Sequence, residues 1–352
     1  MRRVYISSAA CISAQNTLDP NFLDVLSPEL SQNIVYAQQP SYKDFIPPAQ
    51  IRRMSKVVKM STVASRYALE QANIEMPDAI IVGTGMGCTE DSEKFLRNVI
   101  QNHEDHLTPT NFIQSTHNTV AGQIALGLGC HAYNFTYVNS GSALECSLLD
   151  AKLQIETGEA ENILVGAADE TAQRTAELYQ LVKIIKKQED LPINITDSDT
   201  EGVIWGEGAS FFVISGNENN ALAAIRDIAL MNSLDTEEIP DFIQDFLMKN
   251  GLGIEDIDTV MLGFSGDVKA DKYHKAAGRV FARTQQIYHK HLSGEFNTAS
   301  GVATFLATHI LKNQQIPEVM KLNDMAPENI RYLLIYNNFM GKDHSLVLLE
   351  QV

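Results

Sequence analysis

The chain has 352 residues, of which 44% are hydrophobic and 20% are charged, an ordinary composition for a protein with a large core. Its 27 basic and 44 acidic residues give a net charge of −17, which argues against a general nucleic-acid binder and against attraction to acidic membrane surfaces. The cysteines form no C-x-x-C pair, so neither a zinc site nor a disulfide scaffold is indicated, and a cytoplasmic location is expected.

The amino terminus has two arginines followed by a mildly apolar run, Val-Tyr-Ile-Ser-Ser. The serines make this run too polar for the core of a signal peptide, so it is interpreted as an opening strand. No stretch of the sequence approaches the ~18 apolar residues that would cross a bilayer. We therefore expect no membrane span.

Short apolar runs that stop at Gly, Asn or Asp alternate with helical periodicity along the rest of the chain. This order favours a layered α/β fold with buried parallel strands. The predicted strands are 78–85, 162–169, 210–216, 259–266, 332–338 and 345–350. The clearest predicted helices are 50–73, 142–157, 236–250 and 300–312. Gly158 follows the second of these as a helix C-cap, and the polar run 216–220 is the best internal boundary.

Two short motifs have structural interpretations that outweigh the functional ones. The glycine-rich run 83–87 follows a strand but lacks G-x-G-x-x-G spacing and a following Lys-Ser/Thr pair, so it indicates a turn rather than a phosphate site. His289 and His291 flank Lys290, and on a strand they would share one face without further ligands nearby. No metal site is predicted.

A sharp junction near the middle of the chain is the strongest candidate for chemistry. A strand ending near Val138 turns through Asn139, Ser140 and Gly141 into an amphipathic helix. Such a junction directs backbone N–H groups and the helix dipole at whatever lies on the turn. This arrangement can activate a nucleophile or bind an oxyanion, but here the turn carries glycine.

The junction resembles the nucleophile elbow of the β-ketoacyl-acyl-carrier-protein synthases, members of the thiolase-fold superfamily. Further blocks resemble those of the family in the same order along the chain: NTVAG at 118–122, GEGA at 206–209, FSG at 264–266, KHLSGEFNTASG at 290–301 and NFMG at 338–341. The resemblance implies an α/β, thiolase-like layered αβαβα fold made of two related halves. Residues 1–216 would carry the elbow, and residues 217–352 would carry the positions of the two family histidines.

The resemblance also implies a Cys-His-His catalytic set, and the chain departs from it at all three positions. The cysteine falls on Gly141, the first histidine on Ser265 and the second on Glu295, whereas Lys290 is retained. Glycine supplies no nucleophile, serine is no imidazole, and glutamate places an anion where negative charge must be stabilised. We expect the condensation chemistry to be lost.

Other residues near the elbow could replace the lost set only by a rearrangement. Cys146 lies five residues past Gly141, more than one helical turn of 5.4 Å, and is interpreted as a small buried core residue. Ser140 and Ser142, expected with Phe339 to border the acyl pocket, are hydroxyls without an activating base. The two histidines beside Lys290 leave a rearranged catalytic set open as an alternative.

The resemblance therefore implies a chain-length-factor-like subunit, which would pair with an active synthase and shape the tunnel for its acyl or polyketide chain, including polyene types. The alternatives are an active synthase, acyltransferase or decarboxylase with a rearranged residue set, and a non-catalytic acyl-binding or scaffold protein. No cofactor is implied.

Two surfaces are expected to bind partners. The strand 134–138 is expected to pair with the active ketosynthase subunit or with a second copy of the chain. Arg52, Arg53 and Lys56 are predicted to lie on one face of a helix that begins near Ile51. They resemble the basic residues with which active synthases dock an acyl carrier protein, although a solvated charged face is the simpler interpretation.

Overall fold

The computed structural model describes residues 2–28, 30–107 and 109–352. The strands in these residues are β1 (Val4–Ile12), β2 (Ile34–Val35), β3 (Ala79–Gly83), β4 (Tyr133–Tyr137), β5 (Asn162–Asp169), β6 (Trp205–Gly206), β7 (Gly208–Ser215), β8 (Ala223–Met231), β9 (Thr259–Leu262), β10 (Gln285–Tyr288), β11 (Tyr332–Phe339) and β12 (Lys342–Glu350). The helices are α1 (Pro48–Ile51), α2 (Lys56–Ala72), α3 (Thr89–Gln101), α4 (Pro109–Gln114), α5 (Thr119–Leu128), α6 (Ala143–Thr157), α7 (Gln173–Leu181), α8 (Ile239–Lys249), α9 (Val268–Val280), α10 (Lys290–Ser293) and α11 (Ser300–Asn313).

The main sheet consists of two halves with the same topology. Its strand order is β10-β9-β11-β12-β8-β1-β7-β5-β3-β4. Read outward from the centre, β1-β7-β5-β3-β4 and β8-β12-β11-β9-β10 place the first, fifth, fourth, second and third strands of each half in the same order. The halves join where Val4 to Ile6 of β1 pair with Ala223 to Ile225 of β8. The prediction of two related halves is confirmed.

The sheet is mixed, whereas the sequence pattern predicted parallel strands. Strand β3 runs parallel to β4 and β5, and β9 runs parallel to β10 and β11. Strands β7 and β12 are antiparallel to both of their neighbours. Only two residues connect β11 to β12, and so short a connection forces an antiparallel hairpin because a parallel pair needs a long crossover.

Helices cover both faces of each half and produce five layers. Helices α6 and α11 lie between the halves and contact strands of both. Helices α2 and α5 cover the outer face of the first half, and α9, with α8 packed on it, covers that of the second. Three hydrophobic clusters fill the four helix-to-sheet interfaces: one surrounds α6 and α11 and contacts both halves of the sheet, and one lies under each outer helical layer. The layered αβαβα order is therefore confirmed.

The helix predicted at 50–73 is interrupted, so that part of the prediction is wrong. Helix α1 ends at Ile51 and α2 begins at Lys56, with Ser55 extended between them at φ −62° and ψ 166°. Arg52 and Arg53 consequently lie in the connecting turn rather than on a helix face. Helix α6, by contrast, ends as predicted at Gly158, which adopts the left-handed conformation at φ 77°.

The chain passes from the first half to the second between Ser215 and Ala223. The boundary predicted at 216/217 falls inside this connection, although residues 1, 29 and 108 of the expected first half lie outside the described residues. Within the described part of the chain, no helix combines the length and apolar character required to span a membrane.

The two terminal strands of the main sheet, β10 and β4, differ in whether another segment of the chain covers their outer edge. At one end, the segment after α11 covers β10, because Gln286 N donates to Asn323 Oδ1 at 2.9 Å and Leu322 N donates to Gln286 O at 2.9 Å. At the other end, β3 is the one strand that pairs with β4 in the described part of the chain. The side chains of Tyr133 and Phe135 on β4 are 47% and 43% exposed.

Candidate functional site

The predicted elbow is present as a tight turn between β4 and α6. A single 3-10 turn, Ser140–Ser142, leads directly into the helix. Asn139 O accepts hydrogen bonds from Ser142 N at 3.0 Å and from Ser142 Oγ at 3.1 Å. Ser140 has φ 49°, a left-handed conformation that costs roughly 1–2 kcal/mol outside glycine. The turn is thus held in a strained geometry of the kind found at functional sites.

Gly141 is covered by the hairpin of β11 and β12. A Cβ atom built on Gly141 would overlap Phe339 Cβ and would lie 2.9 Å from Phe339 Cγ. The Gly141 N–H group donates to Asp343 Oδ2 at 3.2 Å. One hairpin therefore fills the space beside Gly141 with Phe339 and binds the Gly141 N–H group with Asp343. This is the position where the resemblance places a nucleophile.

Ser265 is fixed by a carboxylate of α9. Asp271 Oδ1 accepts from Ser265 N at 2.9 Å and from Ser265 Oγ at 3.2 Å, while Asp271 Oδ2 accepts from Gly266 N at 2.9 Å. Burial raises the pKa of Asp271 to about 6. Because the Ser265 hydroxyl already donates to the Asp271 carboxylate, it is not directed at a substrate.

Lys290 and Glu295 form a buried ion pair. Lys290 Nζ lies 2.6 Å from Glu295 Oε2, and the two side chains are 0% and 2% exposed. The ammonium group also donates to Asn338 O at 3.4 Å. Burial raises the pKa of Glu295 to about 7, against the opposing effect of Lys290. The retained lysine is thus committed to the glutamate, which leaves little of its charge for a developing enolate.

The other candidate nucleophiles and bases do not assemble at the elbow. His289 and Lys290 begin the short helix α10, so the strand interpretation of this motif was wrong. Burial holds the pKa of His289 well below its ordinary value and lowers that of His291 to about 3, so both rings are neutral. Among the described residues, no imidazole forms a hydrogen bond with Ser140 or Ser142.

Cys146 differs from its prediction as a buried core residue, because it is only partly buried. Asn139 Nδ2 donates to its Sγ atom at 3.3 Å. Burial, together with Glu145, raises the pKa of the Cys146 thiol. The thiol is therefore protonated at neutral pH and is a poor nucleophile.

The two serines of the turn border a surface pocket of about 370 Å³ that Asn232 and Asp343 also line. Ser140 Oγ accepts a long hydrogen bond from Asn297 Nδ2 at 3.4 Å. An amide can orient the hydroxyl but cannot remove its proton at neutral pH. The pocket is polar and open, unlike a tunnel for an acyl chain.

The glycine-rich run 83–87 is a structural turn whose amides bind a carboxylate of the chain itself. Asp169 Oδ1 accepts from Gly85 N and Met86 N, both at 3.0 Å. Thr298 Oγ1 and Thr84 Oγ1 donate to the same carboxylate at 2.8 and 3.0 Å. Through Asp169, the run is therefore joined to the end of β5 and to the loop before α11, and its amides are not free to bind an external anion.

The predicted basic residues separate into two groups. Arg52 and Arg53 are exposed, as the docking prediction requires. Lys56 instead turns inward, where its Nζ atom lies 2.6 Å from Glu207 Oε2 and 3.7 Å from Glu90 Oε1. Since the Glu207 side chain is 0% exposed, Lys56 compensates a buried charge and is not a free surface cation.

The resemblance predicted which catalytic side chains the site lacks, but it did not predict which residues contact those positions. Asp343 lies 202 positions after Gly141, whereas Asp271 lies only six positions after Ser265. His274, whose Nε2 atom lies 2.9 Å from Asn338 Nδ2, was also missed. The Asp343 contact depends on the packing of the second half against the first, and the His274 contact joins α9 to β11 within the second half, so neither is visible as a local motif.

Comparisons with known proteins agree with the fold and the motifs. The sequence pattern of the β-ketoacyl synthase N-terminal domain matches residues 37–220. Nodulation protein E of Rhizobium sp. (strain N33) is 23% identical over 252 residues, which cover 66% of this chain and 62% of that protein. The chain thus spans less than two thirds of the length of this relative.

Two solved structures resemble the chain over nearly its whole length. The ishigamide ketosynthase/chain length factor has a TM-score of 0.83 at 18% identity, with 100% of this chain and 99% of that chain covered. A ketosynthase in complex with its chain length factor from Xenorhabdus doucetiae has a TM-score of 0.79 at 14% identity, with 100% and 98% covered. At these identities the likeness shows a shared fold. Since the family pattern also matches more than half of the sequence, the chain belongs to the β-ketoacyl synthase family.

Proposed function

We propose that this chain is a non-catalytic, chain-length-factor-like subunit that pairs with an active β-ketoacyl synthase and shapes the tunnel for its partner's acyl or polyketide chain. The observation that carries the proposal is the filled elbow, where Phe339 and Asp343 take the space and the amide at Gly141. A subunit built in this way acts through its surface rather than through its own turn. Its likeness to a ketosynthase/chain length factor fold supports this role.

The open edge of β4 is the proposed pairing surface. An unpaired strand edge with exposed aromatic side chains is an aggregation liability in a free monomer. The equivalent edge of the second half, β10, is covered by its own chain, whereas β4 pairs only with β3 among the described residues. We expect a homodimer in isolation and a heterodimer with the active synthase, each burying more than ~2,000 Å².

Helix α5, which contacts β4, and helix α4, which packs on α3, supply exposed apolar side chains as the proposed lining of the partner's tunnel. Phe112 and Ile113 of α4 are 57% and 62% exposed, and Leu126 of α5 is 76% exposed. A ring contact with Phe95, 5.3 Å between centroids, holds Phe112 against α3. Exposed apolar side chains of this size are typical of an interaction surface.

A carrier protein is the second proposed partner. Arg52 and Arg53 stay exposed in a chain with a net charge of −17, so they offer local positive charge to an acidic carrier. Lys56 is left out of this proposal because its charge is paired with Glu207.

Co-expression with an active synthase tests the proposal. We expect the two chains to co-purify and the pair to release products of one defined length. The substitution Phe112→Ala should lengthen the product by at least one extension unit, because it removes a ring from the proposed tunnel wall. Met248→Ala is the control, since Met248 is 67% exposed on α8 of the other half and should leave the product unchanged.

A scaffold subunit without an acyl role is the second candidate, because a filled elbow suits it equally well. In that case pairing would still be required for activity, but Phe112→Ala would leave product length unchanged. Failure to co-purify with any synthase would contradict both functions.

A further inference from the structure

We propose that the tip of the β11–β12 hairpin is a built-in plug, in which Phe339 and Asp343 exclude acyl thioesters from this subunit's own elbow. The inference rests on the proposed function, since a subunit that shapes its partner's tunnel must not hold acyl chains itself. It adds a specific role for two residues: Phe339 blocks the apolar space, and Asp343 occupies the backbone amide.

The first step is that Phe339 excludes every side chain from position 141. The overlap of a built Cβ on Gly141 is with Phe339 Cβ itself, whereas Phe339 Cα would lie 3.4 Å away, an ordinary contact. Gly141 has no positive φ that would require glycine, so close approach is the reason for glycine here. The close approach of Phe339 therefore leaves room for no residue larger than glycine at the elbow.

The second step is that the Phe339 ring packs against further aromatic rings, beside which only a small cavity remains. Phe339 meets Trp205 edge-on with 6.4 Å between ring centroids, and Trp205 meets Tyr179 edge-on at 5.2 Å. The cavity lined by Trp205, Tyr179 and Phe296 measures only about 10 Å³. This volume is at the lower limit for one water molecule and is far too small for an acyl chain.

The third step is that the hairpin tip is held in place by its surroundings. Met340 and Gly341 form its two-residue turn with φ of 53° and 78°, and Asp343 has φ 49°. Left-handed Met and Asp are each unfavourable by themselves, so packing must hold them. Gly341 N donates to Asn338 Oδ1 at 2.8 Å, and Asp343 N donates to Asn232 O at 2.8 Å.

The ligand that the plug excludes is an acyl chain attached through a polar carbonyl group. Its aliphatic part would need the apolar space of Phe339 and Trp205, and its carbonyl oxygen would need the Gly141 amide. The Asp343 carboxylate is an oxygen acceptor at 3.2 Å from that amide, in the place of such a carbonyl.

A double-mutant cycle tests the steric step without any ligand. Gly141→Ala should lower the Tm of the wild-type protein and of Phe339→Ala, because both retain Cβ at position 339. In the Phe339→Gly background the same substitution should cause no further fall. Gly122→Ala is the control, since a Cβ there would meet no atom within 4 Å. An equal fall of Tm in all three backgrounds would overturn the plug, as would no fall in the wild-type protein.

Binding of cis-parinaric acid, a fluorescent polyene fatty acid, tests the exclusion. We expect Phe339→Gly to bind the probe at least ten-fold more tightly than the wild-type protein. Phe281→Ala, which removes another buried ring from the outer core of the second half, should bind no better than wild type. Equal affinity of wild type and Phe339→Gly, or of Phe339→Gly and Phe281→Ala, would overturn the proposal. Co-purification with a synthase is a separate readout, so a failed plug and a failed pairing are distinguishable.

Discussion

At the scale of single residues, the buried Lys290–Glu295 pair explains how the chain accommodates a carboxylate where the resemblance places the second histidine. An unpaired buried carboxylate would be strongly unfavourable, but the ammonium group 2.6 Å away compensates it. The same ion pair occupies the ammonium group of Lys290, so this lysine is not available for catalysis. This pair therefore stabilises the local structure rather than a reaction intermediate.

Removing one partner of this pair should destabilise the fold strongly. Glu295→Gln leaves a buried ammonium group without its counter-charge and should cost about 3–5 kcal/mol of unfolding free energy. Replacing both partners with Met and Leu should cost much less. Urea unfolding measures both variants. Glu318→Gln is the control, because the Lys321–Glu318 pair has the same 2.6 Å distance but Glu318 is 80% exposed, and exposed pairs contribute about 0–1 kcal/mol. A cost for Glu295→Gln no larger than for this control would contradict the interpretation.

The residues of the site show how far sequence reasoning reaches. The changes at Gly141, Ser265 and Glu295 are visible in the motifs because each motif is a local run of residues. The contacts of Phe339 and Asp343 with the elbow are not visible, since about 200 positions of chain separate the hairpin from it. The sequence predicted an elbow without a nucleophile, and the structure shows Phe339 and Asp343 at that position.

At the scale of secondary-structure elements, Glu170 at the end of β5 organises two helices at once. Its Oε2 atom accepts from Val57 N in the first turn of α2 at 2.7 Å, and its Oε1 atom accepts from Glu90 N in the first turn of α3 at 2.8 Å. Neither helix has a side-chain hydrogen bond from its own N-cap residue. One carboxyl group therefore caps both helices.

Glu170 should make stability depend on pH. Burial, with Glu90 nearby, raises the pKa of Glu170 to about 8 from an ordinary value of 4.5. A raised carboxyl pKa contributes stability that is complete below pH 4.5 and is lost as pH rises towards 8. Unfolding free energy should therefore fall between pH 6 and 8, by up to about 2–3 kcal/mol from this group.

The variant Glu170→Gln cannot titrate, so urea unfolding at pH 6 and pH 8 should show a smaller fall than in the wild-type protein. Glu159→Gln, at an exposed position, is the control and should retain the wild-type fall. If Glu170→Gln and Glu159→Gln show the same pH dependence, Glu170 is not the titrating group.

The elements themselves were predicted to different degrees. The apolar strands β3, β5 and β11 are clear because long runs of Ile, Val and Leu have few alternatives. Strand β8 was missed because Arg226 and Asp227 interrupt a run rich in alanine. The break before α2 was missed because the carboxyl group that caps the helix lies on a distant strand.

At the scale of the whole molecule, the two related halves have diverged at their edges. The second half covers its terminal strand with its own chain, and the first half leaves β4 open. The boundary at 216/217 stays a prediction. The open edge of β4 and the elbow blocked at Gly141 both belong to the first half. We therefore propose that the first half pairs with the partner and carries out no chemistry itself.

The central claim is that this chain supports condensation without carrying the acyl intermediate. Intact-mass spectrometry of the co-purified pair, after exposure to an acyl-carrier thioester, tests it in one sample because the two subunits differ in mass. The account predicts a stoichiometric acyl adduct on the partner synthase and none on this chain. A stoichiometric adduct on this chain, at Ser140, Ser142 or any cysteine, would contradict it.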